Sequence, residues 1–463
     1  MGGRRFPSEI PKNRSQPLSV HSPTPPYQPT AQHSPMNAQN VVAKQQEFLF
    51  PCVASFYQEP VVITKAEGTR VHALGGAQYL DFFGGILTVS LGHCQPDVIA
   101  AIREQVGRLG HTSTLYPTEN QVIAAETLAR LTPGKLKKSF FTNSGTEADE
   151  TAVMLAKIHT GSHEIIALRH GYSGRSHLNI SLTAHSNYRL LQTPVSGIKH
   201  APAPYCYRCP FGAEPSSCDL QCATDIKELI ETTTSGRPAA FIAEPILGVG
   251  GFVTPHPEYF QIAVGIVREY GGLFICDEVQ TGFGRTGEKW FGIEHWGVEP
   301  DIMTFAKGIA NGMPVGATIA TEDVANSWTG ATVSTFGGNP VSMAAVNATL
   351  GVMERESIPQ RSARLGKKLR EHLAGYKEQY AWVGDVRGKG LMQAIELVED
   401  RASKAPSAAK VNALLEAAKR EGLLLGKGGR YGNVVRITPP MLISDDEMIE
   451  ALAKFDRAMA EVG

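Results

Sequence analysis

The residues with the most chemical potential lie between Asp301 and Ala317. There an apolar, β-prone run (Ile302-Met-Thr-Phe-Ala306) delivers one lysine, Lys307, into a segment holding Gly308, Gly312 and Gly316. An ammonium at the end of a buried strand is costly to desolvate, which lowers its pKa and favours a neutral, nucleophilic amine. The glycines leave room for a flat group to lie against the backbone. Thirty residues upstream, Leu273-Phe-Ile-Cys-Asp-Glu-Val-Gln280 puts Asp277 directly after a second apolar run. A carboxylate there needs a positive partner. The interval is about one strand–helix–strand unit, so Asp277 and Lys307 are expected at neighbouring strand ends. Such a pair suits pyridoxal 5'-phosphate (PLP), with the lysine as Schiff-base anchor and the aspartate holding the proton of the pyridine nitrogen. Taken singly, Lys307 reads better as a lysine snorkelling into water, and Asp277 reads also as a salt-bridge partner for Arg285.

Other segments supply companions. Phe140-Phe-Thr-Asn-Ser-Gly-Thr-Glu-Ala148 is a strand, a small-residue turn and a helix start, where unpaired N–H groups and hydroxyls at Ser144, Gly145 and Thr146 could hold a phosphate. An ordinary helix cap accounts for the same residues. His170-Gly-Tyr-Ser-Gly-Arg175 sets Tyr172 between glycines, free to stack on a ring whose other face meets Val279. Thr335 is a hydroxyl in the turn Thr335-Phe-Gly-Gly-Asn-Pro340. Arg436, in Val434-Val-Arg-Ile-Thr-Pro-Pro440, is a rigid fork suited to a carboxylate, or to a structural ion pair. Cys206, Cys209, Cys218 and Cys222 form C-x2-C-x8-C-x3-C within one loop. Four such thiolates could bind zinc or an iron–sulfur cluster; reduced thiols or a disulfide in a surface insertion are the alternatives.

The elements that must position these groups alternate. Strands are expected at Lys138–Thr142, Glu164–Leu168, Ala239–Ala243, Leu273–Cys276 and Asp301–Phe305, with helices at 147–159, 223–232 and 257–270 between them. That pattern predicts an α/β fold with a mostly parallel sheet, helices on both faces and ligands beyond the carboxyl ends of the strands. A glycine-punctuated antiparallel meander is expected over Val61–Phe83, and a second α+β unit after Pro340. The first forty residues are rich in proline and serine, with Arg4, Arg5, Lys12 and Arg14 against one acid, Glu9. They are expected to be disordered, because the prolines oppose the amphipathic helix of a mitochondrial presequence. That favours a cytoplasmic protein, with the matrix as the alternative. The 42% apolar and 19% charged content is that of a globular chain, and the net charge of −1 gives no electrostatic case for nucleic acid or a membrane.

Together these motifs make the chain, from about Gln45 onward, resemble the class III aminotransferases, PLP enzymes of fold type I. Likeness to the alanine–glyoxylate aminotransferase 2 branch lies in Phe83-Gly-Gly-Ile-Leu-Thr-Val-Ser-Leu-Gly-His-Cys94, His111-Thr-Ser-Thr114 and Val383-Gly-Asp-Val-Arg-Gly-Lys-Gly-Leu-Met392. The resemblance implies that Lys307 carries the cofactor, Asp277 meets its pyridine nitrogen, and Ser144, Gly145 and Thr146 hold its phosphate. Tyr172 and Val279 would sandwich the ring, Gln280 would lie near its phenolic oxygen, and Glu244 would support that network. Thr335 would reach the phosphate of a neighbouring subunit in a homodimer or dimer of dimers, and Arg436 would clamp the substrate carboxylate. It implies residues 1–42 as an extension, 43–98 and 341–463 as the two parts of a small domain, and 99–340 as the large PLP-binding domain. One departure matters. The glutamate that in 4-aminobutyrate and ornithine enzymes neutralises this arginine is replaced by Val249, five residues after Glu244. The expected reaction is therefore transfer from a small amino donor (alanine, 3-aminoisobutyrate or β-alanine) to a 2-oxo acid such as glyoxylate or pyruvate. The alternatives are an ω-amino-acid aminotransferase using 2-oxoglutarate, a racemase, and a phospholyase of amino-alcohol phosphates.

Overall fold

The computed structural model describes residues 36–53, 55–191 and 195–463. Its centre is a seven-stranded sheet. In spatial order the strands are Leu136–Thr142, Gly316–Thr321, Ile302–Phe305, Leu273–Asp277, Ala240–Ala243, Ile165–Leu168 and Ile198–Ala201. Only Gly316–Thr321 runs antiparallel to its neighbours. The short strands Ile-Ile-Ala-Leu, Ala-Phe-Ile-Ala and Ile-Met-Thr-Phe are buried at every position. That is what a sheet covered on both faces requires.

Alternation then sorts the side chains. Ile165, Ala167, Ile242, Ile275 and Ile302 enter one core with Ala152, Val153 and Ala156 of the helix Gly145–Thr160. Ile166, Leu168, Phe241, Phe274, Met303 and Phe305 enter the other, with Phe260, Val264 and Val267 of the helix Tyr259–Glu269. The expected α/β class with a mainly parallel sheet is what the chain adopts. Two strands escaped the sequence reading. Ile198–Ala201 is a half-buried edge, and Gly316–Thr321 follows the glycine-rich turn after Lys307 with little hydrophobic contrast.

Two smaller sheets flank it. Ile63–Glu67, Arg70–Ala73 and Gln78–Asp81 form the antiparallel meander, and Leu423–Leu424 adds to it in parallel from far along the chain. The other sheet holds Val383–Lys389, Met392–Leu397, Val434–Ile437 and Gly426–Gly428. Within the expected N-terminal extension, residues 1–35 lie outside the described residues, whereas Ala38–Phe48 is a helix capped by Asn37, whose side chain accepts from Asn40 N at 2.8 Å. Asparagine capping and an alanine-led, proline-free run outweigh the polar composition there. No helix among the described residues is long and apolar enough to cross a membrane.

Gly316 marks where sheet and site meet, because a β-carbon there would overlap the carbonyl of Ser144 and the hydroxyl of Thr142. Gly316→Ala should lower stability by about 2 kcal/mol, as overpacking does. A urea midpoint equal to that of the parent protein would contradict this account of the strand.

Candidate active site

The carboxyl ends of four parallel strands, with the start of one helix, open on a cavity of about 190 Å³. The helix Gly145–Thr160 contributes Gly145, Thr146 and Asp149, and the loop after Ile165–Leu168 contributes Tyr172, Ser173 and Gly174. Glu244 follows Ala240–Ala243; Asp277, Val279 and Gln280 come from the end of Leu273–Asp277; Ala306 and Lys307 follow Ile302–Phe305. A wider groove of about 740 Å³ lies elsewhere, along the helix Ile358–Gln379.

Lys307 sits with φ of 46°, a left-handed backbone that a lysine rarely adopts and that clusters at functional sites. Its neighbour must be glycine, since a β-carbon on Gly308 would collide with the Ser90 hydroxyl. Burial pushes the Lys307 amine below the usual lysine range, while the Asp277 and Glu244 carboxylates pull it back up. Asp277 is buried and accepts from Val279 N at 2.9 Å. Burial raises its pKa to about 6, opposed by the Val279 N–H, the Lys307 charge and a hydrogen bond with Asp149. Glu244 accepts from Tyr172 N at 3.1 Å and Gly248 N at 2.8 Å. Burial, and then the nearby Asp277, push it up to about 8.

The predicted residues do not all converge. Gly145, Thr146, Tyr172, Glu244, Asp277, Val279, Gln280 and Lys307 line the one cavity, and the Gln280 side-chain oxygen is buried without a partner. Ser144 is not among the lining residues. It caps the helix, its hydroxyl accepting from Glu147 N at 3.2 Å. Thr335 is exposed and also lies outside the lining.

Arg436 stands nearby, close enough for its charge to depress Lys307 further. It is 3% exposed, with its guanidinium 4.8 Å from the Phe83 ring centre and 5.7 Å from that of Phe252. Its Nε donates to Lys427 O at 3.0 Å, whereas Nη1 is buried with no partner. Desolvation pushes its pKa down to about 10. The backbone of Val249 passes close by, its carbonyl accepting from Gly429 N at 2.9 Å while Gly428 packs on Arg436.

The four loop cysteines also gather. Cys206, Cys209, Cys218 and Cys222 line a second cavity, of about 20 Å³, together with His256. All are free thiols. Among the described residues no group of three or more His, Cys, Asp or Glu side chains is arranged to hold a metal ion. The expectation of zinc or an iron–sulfur cluster here is therefore unsupported. Burial and mutual proximity raise Cys206 and push Cys222 up to about 12, which favours thiols over the thiolates that bind metal.

Three participants escaped the sequence reading: Asp149, Phe83 and Phe252. Asp149 had a signal, since it lies four residues after Gly145 and so on the same helix face. The two phenylalanines had none, because they reach Arg436 from distant segments.

A buried amine, a buried acid and a glycine-lined cradle at the ends of a parallel sheet are the makings of a PLP enzyme of fold type I. Residues 53–459 match the class-III aminotransferases, and the chain belongs to that family. It is 41% identical to alanine–glyoxylate aminotransferase 2 homolog 2, mitochondrial, of Arabidopsis thaliana, over 92% of this chain and 88% of the relative. It is 36% identical to alanine–glyoxylate aminotransferase 2, mitochondrial, of Homo sapiens, over 96% and 91%, and 35% identical to a leucine/methionine racemase of Thermococcus litoralis, over 89% and 94%. A thermostable (S)-enantioselective omega-transaminase from Thermomicrobium roseum superposes with a TM-score of 0.85 at 32% identity, over 93% of this chain and 100% of that one.

Family membership implies PLP, and the cavity fits it. Lys307 and Asp277 face one space, Gly145 keeps Val279 and Ala306 close, and a β-carbon on Gly174 would overlap the Thr146 hydroxyl. Glu244 also yields a stability test. A carboxyl group whose folded pKa lies above its unfolded value costs stability as pH rises from about 4.5 toward about 8. Glu244→Gln removes that penalty. The stability of the cofactor-free variant relative to the parent should rise with pH across that window, read by urea unfolding; a difference that stays flat or falls would contradict the burial of this group.

Proposed function

We propose that this aminotransferase moves the amino group of a small amino acid of the alanine, 3-aminoisobutyrate or β-alanine type to a 2-oxo acid such as glyoxylate or pyruvate. The observation that carries this is Arg436, buried between two aromatic rings with Nη1 unpartnered and with valine rather than an acid at position 249. The printed names of the plant and human relatives give alanine and glyoxylate, one donor and one acceptor of this set.

When bound, PLP supplies an electron-poor ring that absorbs the charge left at the substrate carbon. The rest of the work belongs to the chain. Asp277 would hold a proton on the ring nitrogen, and Lys307 would anchor the cofactor. With its amine free, Lys307 would be the base that removes the proton from the amine-bearing carbon of the donor, and in the second half-reaction it would return one to Cα of the acceptor. Burial lowers its pKa, which favours the neutral amine that the task needs. Gly145, Thr146 and the capped turn at Ser144 would receive the phosphate at a helix N-terminus. Tyr172 and Val279 would bound the ring and Gln280 would lie near its phenolic oxygen, while Glu244 fixes the backbone at Tyr172 and Gly248. Arg436 binds the carboxylate of donor and acceptor in turn, with Phe83 and Phe252 keeping water from the pair. The two half-reactions alternate, giving ping-pong kinetics.

Thr335 belongs in this account through a second copy of the chain. Leu115, Tyr116, Val333 and Phe336 are exposed apolar side chains around it, and the segments meet where His111 and Phe336 lie 5.1 Å apart. Such a face is what a homodimer, or a dimer of dimers, would bury. The expected cytoplasmic location stands against the mitochondrial names of two relatives, and an import assay on residues 1–42 decides between them.

A donor panel against glyoxylate, pyruvate and 2-oxoglutarate tests the reaction. Turnover of alanine with glyoxylate should exceed that of 4-aminobutyrate with 2-oxoglutarate, and the reverse order would sink the assignment. Interconversion of enantiomers without an acceptor would indicate a racemase, and phosphate release without one a phospholyase. Val249→Glu should place a carboxylate beside Arg436 and raise KM for alanine about tenfold or more, with a smaller effect on 4-aminobutyrate.

A further inference from the structure

One buried carboxyl group in the cavity has no part in the steps above. Asp149 is 1% exposed, on the second turn of the helix Gly145–Thr160, and lines the same cavity as Asp277 and Lys307. Thr304 Oγ1 donates to its Oδ1 at 2.7 Å. Thr304 pairs in register with Asp277 on the adjacent strand, so one threonine ties the helix to the strand end that carries the acid. The two carboxyl groups line the same cavity and adjoin closely enough for Asp149 to act on Asp277 as a hydrogen-bonding neighbour.

We infer that Asp149 is a positioning residue that keeps its own proton and donates it in a hydrogen bond to Asp277, fixing that carboxylate where the cofactor's ring nitrogen would lie. Two carboxyl groups this close cannot both be ionised. Their surroundings decide which one holds the proton. Asp277 accepts a backbone N–H from Val279 and faces Lys307, both of which favour its charge. The partners of Asp149 are one neutral hydroxyl and Asp277 itself, and the other charged groups facing it are Glu244 and the more weakly felt Lys307. Burial, and then the neighbouring Asp277, raise Asp149 well above the usual carboxylate range, which favours its protonated form. With donors from both Val279 and Asp149, Asp277 has its orientation set and its charge stabilised before a cofactor arrives. This rests on the assignment of Asp277 to the ring nitrogen, and it adds a second carboxyl group of opposite protonation behind it.

The first test needs no cofactor. Infrared difference spectra of the cofactor-free parent protein minus Asp149→Asn, near neutral pH, should show the carbonyl band of a protonated carboxyl group. Its absence would overturn the inference. The second test titrates PLP, by absorbance and fluorescence, into the parent, Asp149→Asn and Asp149→Ala at several pH values. The asparagine amide can still donate to Asp277, so its affinity should stay within about threefold of the parent. The alanine variant removes a donor to a charged acceptor, and its affinity should fall about tenfold or more. The acid limb of its binding profile should also move to higher pH, because an Asp277 without that donor is protonated more easily. An asparagine variant as weak as the alanine one would mean that an ionised Asp149 is required, and an alanine variant equal to the parent would mean that the residue is inert. Either outcome sinks the proposal. If melting curves show that Asp149→Ala does not fold, Asp149→Leu, similar in size and without a donor, takes its place under the same criteria. Failure of the parent protein to bind PLP would instead count against the proposed function, and the infrared band would still decide the state of Asp149.

Discussion

Burial of an amine among carboxyl groups is the constraint on which the rest of the structure depends. Lys307 shares one enclosed cavity with Asp277, Glu244 and Asp149, so three acids face one amine with little water to separate them. Ionising all of them there would be prohibitively costly, and the cavity meets that cost through shifted protonation, backbone N–H donors and shared hydrogen bonds. Glu244 is held by two peptide N–H groups and Asp277 by one. Only neighbouring parallel strands could bring these groups so close, since their carboxyl ends lie side by side about 4.8 Å apart and point the same way. The continuous apolar strands supply the burial that lowers the pKa of the amine.

The substrate side has a different construction. Arg436 comes from a C-terminal strand, Phe83 from just after the N-terminal meander, and Phe252 from a loop of the large sheet. These segments are held in place by the pairing of Leu423–Leu424 with Leu80 and Asp81 and by a buried guanidinium. Arg285 donates to Pro439 O at 2.6 Å and to Leu391 O at 3.3 Å, joining the loop after Asp277 to the strand end that carries Arg436. Its pKa is pushed down to about 9 by burial. The salt bridge between Asp277 and Arg285, open as an alternative in the sequence, is not formed, because Arg285 is committed to carbonyl oxygens elsewhere.

Much of the central unit was legible in the sequence for local reasons. Apolar four- and five-residue runs separated by helical stretches define a parallel sheet, and the thirty-residue interval places Asp277 and Lys307 on adjacent strands, as the register Asp277 to Thr304 shows. The edge strand Ile198–Ala201, the antiparallel Gly316–Thr321 and the helix Ala38–Phe48 were less legible, because weak periodicity in short segments does not separate strand or helix from loop. Ser144 shows the ambiguity of a helix start, where the same residue type suits a phosphate donor and a cap, and here the hydroxyl caps the helix.

The sequence by itself determined the sheet, the reactive lysine and acid, and the absence of an acid at position 249, because each depends on residue type and spacing along a continuous chain. Tertiary structure alone decided that Asp149 shares a cavity with Asp277, that Arg436 is enclosed by Phe83 and Phe252 with one nitrogen free, and that the four cysteines gather unbridged around a small cavity. Protonation and desolvation depend on everything packed around a group. Here those neighbours arrive from segments up to hundreds of residues away.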